Sequence, residues 1–160
     1  MAKINIKGPI VSDNEAGIYE WFGIAATSPK SIHHALDQID GKDIEIEINS
    51  GGGSVFAASE IYTALKLYKG HKTVRIVGMA ASAASVIAMA GDKVQITPTG
   101  QIMIHNTQTS VDGDYRTMEH TAEYLKGTNK AIANAYRLKT SLGEDELLAL
   151  MDDETWLTPD

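Results

Sequence analysis

Isoleucine alternates strictly with acidic residues along Asp43-Ile44-Glu45-Ile46-Glu47-Ile48, which marks the clearest strand in the chain, apolar on one face and charged on the other. Residues 3–10, with Ile4 and Ile6 in alternation, predict an earlier strand ending near Gly8-Pro9 or shortly after it. The Val- and Ile-rich run at 73–77 predicts a strand that breaks at Gly78, and residues 93–96 and 101–104 predict two short strands around Pro98-Thr99-Gly100. Helical spacing appears between these strands. Ser28-Pro29 supplies an N-cap and a first-turn proline for a helix of about three turns, with Ile32, Leu36 and Ile39 on one face and Gly41 past its end. Residues 55–68 carry Ile61, Leu65 and Tyr68 in register before Gly70, and residues 82–90 form a short apolar helix. A long pattern at 115–138 places Met118, Ala122, Leu125, Ile132 and Tyr136 on one side, with a bend expected at Gly127. Ser141 and Glu144 read as a capping box for a last helix over residues 144–151. Between residues 11 and 27 periodicity assigns no element, and Asp13-Asn14-Glu15 reads as a turn.

Strands alternating with helices imply parallel pairing through right-handed crossovers, hence an α/β core. The 160 residues fit one domain, 1–160, and are too few for two ordinary ones. The helix at 115–138 is longer than that core, so it is expected to project and be covered by another subunit. A net charge of −7 argues against nucleic acid or an anionic membrane surface as the main partner. With no cysteine, disulfides and thiolate nucleophiles drop out. The first residues lack the apolar stretch of a signal peptide and no run approaches a membrane span, so a cytoplasmic location is expected.

Ser82 stands where the strand at 73–78 gives way to the short helix. Backbone N–H groups at such a start have no intrahelical partner and would stabilise developing negative charge. On its own Ser82 reads as a helix cap; as a nucleophile it needs a base, and the base needs an orienting carboxylate. Among the five histidines, His33 and His34 sit on an amphipathic helix, His71 in a turn and His120 on the long helix. His105 alone follows a buried strand, Ile102-Met103-Ile104, which makes it the candidate base. The acids Asp152, Asp153 and Glu154, taken singly, read as a solvated face. Gly51-Gly52-Gly53 matches neither the phosphate-loop nor the dinucleotide pattern, and gains meaning only as a source of N–H donors beside a nucleophile.

Taken together, Ile48-Asn49-Ser50-Gly51-Gly52-Gly53-Ser54-Val55, Gly78-Met79-Ala80-Ala81-Ser82, Met103-Ile104-His105 and the acidic cluster before Trp156-Leu157-Thr158 resemble the successive signature blocks of the ClpP family of serine peptidases. The resemblance runs from Ile44 to Thr158. It implies a ClpP/crotonase-like α/β fold, with βαβ units and the handle helix at 115–138. It also implies Ser82 as nucleophile, His105 as general base and acid, and the N–H groups of Gly53 and Ala83 as the oxyanion hole. The family's aspartate falls on Glu154, with Asp153 as the alternative if the turn shifts by one residue. Ser85 is a rival serine outside the family's position. Gly51 stands where a proline is usual, which loosens the turn without removing its donors. Gly52, Ser54, Val55, Asn106, Thr107 and Gln108 would line the groove for an extended peptide added as a strand.

The resemblance further implies homo-oligomeric rings, stacked through the handle, around a chamber that receives protein or peptide substrates. No cofactor and no metal is implied. The resemblance leaves open an AAA+ unfoldase or capsid proteins as partners; capsid proteins enter because Trp21-Phe22-Gly23 and a shortening near Gly91-Asp92 look more like the phage and prophage enzymes of prohead maturation than the housekeeping enzyme. The family's C-terminal strand and tail are expected to be missing after Asp160. Two other functions are carried along: a crotonase acting on acyl-CoA thioesters, and a non-catalytic scaffold subunit that has kept the fold.

Overall fold

The computed structural model describes all residues, 1–160, in two compact units: Met1–Met103 with Trp156–Asp160, and Ile104–Thr155. The first unit is built on a parallel sheet. Strands β1 (Ala2–Lys7), β2 (Ile44–Ser50) and β3 (Lys72–Ala81) pair side by side, with Ile4 opposite Ile46, Ile46 opposite Val74 and Ile48 opposite Ile76. Along one face Ile6, Ile44, Ile46, Ile48, Val74 and Ile76 are fully buried. Each such side chain contributes about 1.5–3 kcal/mol of burial free energy, so this stripe is the main reason the strands assemble. The opposite face carries ion pairs, with Lys3 Nζ at 2.7 Å from Glu47 and Arg75 at 3.1 Å from Glu45. That division explains the strict alternation of β2.

Helix α1 (Asp13–Trp21) occupies the segment to which periodicity assigned nothing. Asp13-Asn14-Glu15 is its first turn, not a loop. The Glu15 carboxylate accepts both the N–H and the hydroxyl of Ser12, at 3.1 and 2.6 Å, and so draws the Glu15 carboxyl below its ordinary pKa. No residue of α1 is buried, which is why no apolar period betrays it. Helix α2 (Pro29–Ile39) starts at the expected Ser28 cap and buries Ile32 and Leu36; α3 (Val55–Leu67) starts at Ser54 and buries Ile61 and Leu65.

Strand β3 continues three residues past Gly78, and the reason is a bulge. Its register with β2 shifts between Ile48 and Ser50, so that Ser50 stands opposite Ala80. Asn49 holds the irregularity by accepting the Met79 N–H at 3.2 Å through Oδ1, and a side chain at Gly78 would strike the Asn49 amide. Before the bulge β3 pairs with β4 (Lys93–Ile96); after it, Met79–Ala81 pair with Gln101–Met103 of β5 (Gln101–Ile104). The bulge therefore aims the end of β3 at a different neighbour from its start. Helix α4 (Ala83–Ala88), all six residues buried, follows. Strand β6 (Thr155–Leu157) closes the order β1-β2-β3-β5-β6. Its brevity hid it from the pattern.

The second unit holds α5 (Tyr115–Arg137) and α6 (Glu144–Asp152). Helix α5 runs through Gly127 uninterrupted for 23 residues, about 34 Å at the ordinary rise. Its buried residues, Ala133, Ala135 and Tyr136, all lie in the C-terminal part. Asp114 caps it by accepting the Thr117 N–H at 3.0 Å. The expected capping box at Ser141 does not form: Gly143 is the N-cap of α6 and makes no side-chain cap bond. Glu144 is thus the first helical residue, where its charge complements the dipole without a capping partner.

Candidate active site

Ser82 sits between β3 and α4 with φ 54° and ψ −127°, a backbone conformation that glycine favours. A non-glycine residue held there costs about 1–3 kcal/mol. Backbone hydrogen bonds hold it. Its N–H donates to the Met103 carbonyl at 2.9 Å, and its own carbonyl accepts the Ser85 N–H at 2.9 Å and the Ser85 hydroxyl at 2.6 Å. The strand-to-helix turn so formed is the kind that presents a nucleophile at the top of a sheet. Ser82 is the N-cap residue of α4, but its side chain makes no capping hydrogen bond to that helix. Ser85, by contrast, is fully buried and its hydroxyl is spent on Ser82. The rival serine is therefore a brace for the turn.

The glycine loop packs directly against this turn. A β-carbon at Gly52 would lie 2.7 Å from the Ser82 β-carbon and 2.9 Å from the Ala83 nitrogen, so no side chain fits there. Gly52 also has φ +95°, and Gly53 φ +149° with a side chain there striking Ile10. The loop is hydrogen-bonded to the chain before α1: Ile10 N–H donates to the Gly52 carbonyl at 2.9 Å, and Ser54 N–H to the Ile10 carbonyl at 2.8 Å. Because a trans peptide points its C=O and N–H oppositely, the Gly53 N–H is directed away from Ile10. Ser50 fixes the Gly52 N–H through its hydroxyl at 3.1 Å while donating to the Gly8 carbonyl at 2.6 Å. Gly52, Gly53, Ser82 and Ala83 are thus gathered in the first unit. Ser54 and Val55 begin α3 beside them, with Ser54 Oγ accepting the Ala57 N–H.

His105, half-buried, lies in the second unit directly after β5. Asn106, Thr107 and Gln108 follow it without regular structure. Asn106 donates to Asp152 Oδ1 at 2.6 Å and accepts from Asn129 Nδ2 at 2.9 Å; Thr107 donates its N–H and hydroxyl to Asn129 Oδ1 at 2.8 and 2.7 Å. Sequence reasoning missed Asn129, a polar residue within a helix that carried no motif. Asp153 and Glu154 are exposed at the end of α6. Glu154 takes φ 48°, the left-handed C-terminal turn that usually holds glycine, and its N–H donates to the Met151 carbonyl at 3.2 Å.

No group of three or more His, Asp or Glu side chains is spaced to hold a metal ion. No helix is long and apolar enough to cross a membrane. A surface depression of about 340 Å³, lined by Leu36, Asp37, Leu67, Tyr68 and Lys69 among others, includes none of the candidate site residues.

Comparison with known proteins agrees with the resemblance in the motifs. The family described as Clp protease matches residues 24–160. An ATP-dependent Clp protease proteolytic subunit of Bacteroides fragilis is 34% identical over 126 residues, covering 77% of this chain and 61% of that protein. Proteins of the same name from Deinococcus radiodurans, 31% identical over 121 residues, and Ligilactobacillus salivarius, 39% over 100, are matched over 74% and 61% of this chain and over 59% and 51% of their own lengths. The chain therefore spans about three fifths, or less, of these curated relatives. By the extent of the family match and the glycine loop packed on a strained serine turn, the chain belongs to the Clp protease family.

Proposed function

We propose that the chain carries the catalytic machinery of a serine endopeptidase that cleaves peptide bonds through an acyl-enzyme on Ser82. The observation that carries this reading is the Ser82 turn: strained, with no side-chain capping bond, and packed on a glycine loop that admits no side chain. In the proposed reaction the Ser82 hydroxyl attacks the scissile carbonyl while His105 takes its proton. The Gly53 and Ala83 N–H groups hold the oxyanion, and His105 returns the proton to the departing amine. Water then attacks the ester by the reverse sequence. Glu154 is the first choice to orient His105, with Asp153 as the alternative. Relatives named as proteolytic subunits of an ATP-dependent Clp protease support the reaction class.

The extended substrate would add as a strand between residues 52–55 and 106–110. The Asn106 amide is already bonded at both its oxygen and its nitrogen, so the backbone is the better part of that residue for strand addition. The proposal extends to homo-oligomeric rings stacked through α5, whose N-terminal half buries nothing within the chain. An AAA+ unfoldase is the proposed partner and the cytoplasm the proposed location. Departures at Trp21-Phe22-Gly23 and Gly91-Asp92 favour a phage or prophage branch, with capsid proteins as substrates in a prohead.

Labelling of Ser82 by a serine-directed fluorophosphonate, with peptide and acyl-CoA thioester turnover measured side by side, tests the reading. Labelling with peptide turnover supports it. Thioester turnover alone would favour a crotonase, and an inert Ser82 would favour the scaffold, for which the glutamate at position 154 is the only support.

A further inference from the structure

We infer that Asn129 of α5 and Asp152 of α6 are positioning residues, which hold the backbone of residues 105–107 through a chain of hydrogen bonds with a fixed direction; the inference rests on the peptidase reading above. Nothing in the local sequence gives this segment regular structure, and no strand or helix covers Asn106–Asp114. Two elements far along the chain secure it instead. The direction of the bonds follows from their ends. Thr107 N–H can only donate, so the amide atom facing it at 2.8 Å must be Asn129 Oδ1. Asn129 Nδ2 then faces Asn106 Oδ1 at 2.9 Å, and Asn106 Nδ2 faces the Asp152 carboxylate, an acceptor, at 2.6 Å. Thr107 adds its hydroxyl to Asn129 Oδ1 at 2.7 Å. Every link is determined by the one before it, so neither amide can flip without breaking a bond at each end.

The first residue so held follows His105 directly. A general base must stay within hydrogen-bond reach of the proton it takes, and a shift on the order of 1 Å costs about 10²-fold in rate. Asn129 and Asp152 thus act on the proposed base through the peptide that carries it, without touching substrate. Reversal of the chain is also possible. With Asn129→Asp, the new carboxylate still accepts from Thr107, but Asn106 then faces a carboxylate at each end and leaves its oxygen against one of them. Adding Asp152→Asn supplies a donor there and satisfies the chain in the opposite sense.

The test measures kcat, KM and the fluorophosphonate labelling rate of the full chain, its melting temperature, and hydrogen exchange of the Thr107 amide. Asn129→Leu is expected to lower kcat and the labelling rate about 10²-fold, at temperatures where the variant is fully folded, and to speed Thr107 exchange. Asn129→Asp is expected to lose activity similarly, and the double variant Asn129→Asp/Asp152→Asn to regain most of it. Wild-type kcat and labelling in folded Asn129→Leu would overturn the inference, as would a double variant no better than Asn129→Asp. Should Asn129→Leu fail to fold, the Asn129→Asp pair decides by the same readouts. If the wild type neither labels nor cleaves, the peptidase reading falls by itself; Thr107 exchange, slow in the wild type and in Asn129→Asp and fast in folded Asn129→Leu, then decides whether the bond chain holds the segment.

Discussion

Gly52 is pressed so closely on Ser82 that a β-carbon on the glycine would come within 2.7 Å of the serine β-carbon. Glycine is needed there twice over, for space and for its φ of +95°. Gly52→Ala is expected to destabilise the fold by about 1–3 kcal/mol and to slow Ser82 labelling by more than that loss of folded protein explains. Thermal melts alongside labelling kinetics check both parts.

Ser82→Ala is expected to abolish peptide hydrolysis while leaving the far-ultraviolet circular dichroism spectrum unchanged. Ser85→Ala should retain labelling at Ser82. It loses a hydroxyl bonded at 2.6 Å to the Ser82 carbonyl, which keeps the Ser85 N–H at 2.9 Å, so stability should fall by about 0.5–1.5 kcal/mol, the net worth of one hydrogen bond. If Ser85→Ala were the inert variant, the roles of the two serines would be reversed.

Glu154 occupies a left-handed turn with φ 48°. Glu154→Gly is expected to raise stability by about 0.5–1 kcal/mol by relieving that conformation, yet to reduce peptidase kcat sharply if its carboxylate orients His105. Glu154→Gln separates charge from conformation, and Asp153→Asn tests the alternative acid. Assays of kcat for the three variants, with a melt of each, identify which carboxylate works with the histidine.

Asp92 gives the fold a pH dependence. Partial burial pushes its carboxyl up, but the Lys72 N–H at 2.8 Å, the Lys72 ammonium at 3.1 Å and nearby His71 outweigh this and hold it below its ordinary 3.8. A lowered folded-state pKa means that the stabilisation is full above the unfolded value and is lost as pH falls through the folded one. Lys72 is itself buried, its ammonium also donating to the Gly70 carbonyl at 3.1 Å. Asp92→Asn should therefore cost about 1–2 kcal/mol near neutral pH, a partly exposed charged pair. The difference from the parent should shrink as pH drops below about 4. Melting curves across that range check the sign.

The strands and the helices that bury a face were legible in the sequence because burial imposes a period. Strand β2 with its Ile/Glu alternation, α2 behind its Ser28-Pro29 start, and the short strands β4 and β5 all follow from local chemistry. Helix α1 was not legible, since it buries nothing and its Ser12–Glu15 capping box looked like a turn. Gly78 was read as the end of β3 when it is the seat of a bulge, because a glycine looks the same in either setting until the partner strand, here with Asn49, is known.

Residue types and their order along the chain determined by themselves which groups could do chemistry: one serine at a strand-to-helix turn, one histidine after a buried strand, a glycine run and a terminal acidic cluster. Only the tertiary structure decided that Ser82 is strained and makes no side-chain capping bond, that Gly52 leaves no room beside it, and that Asn129 reaches back to Thr107 across 22 positions. Those facts depend on which atoms meet after the chain has crossed the sheet and returned, and hydrogen bonds between distant residues leave no periodic trace in the sequence.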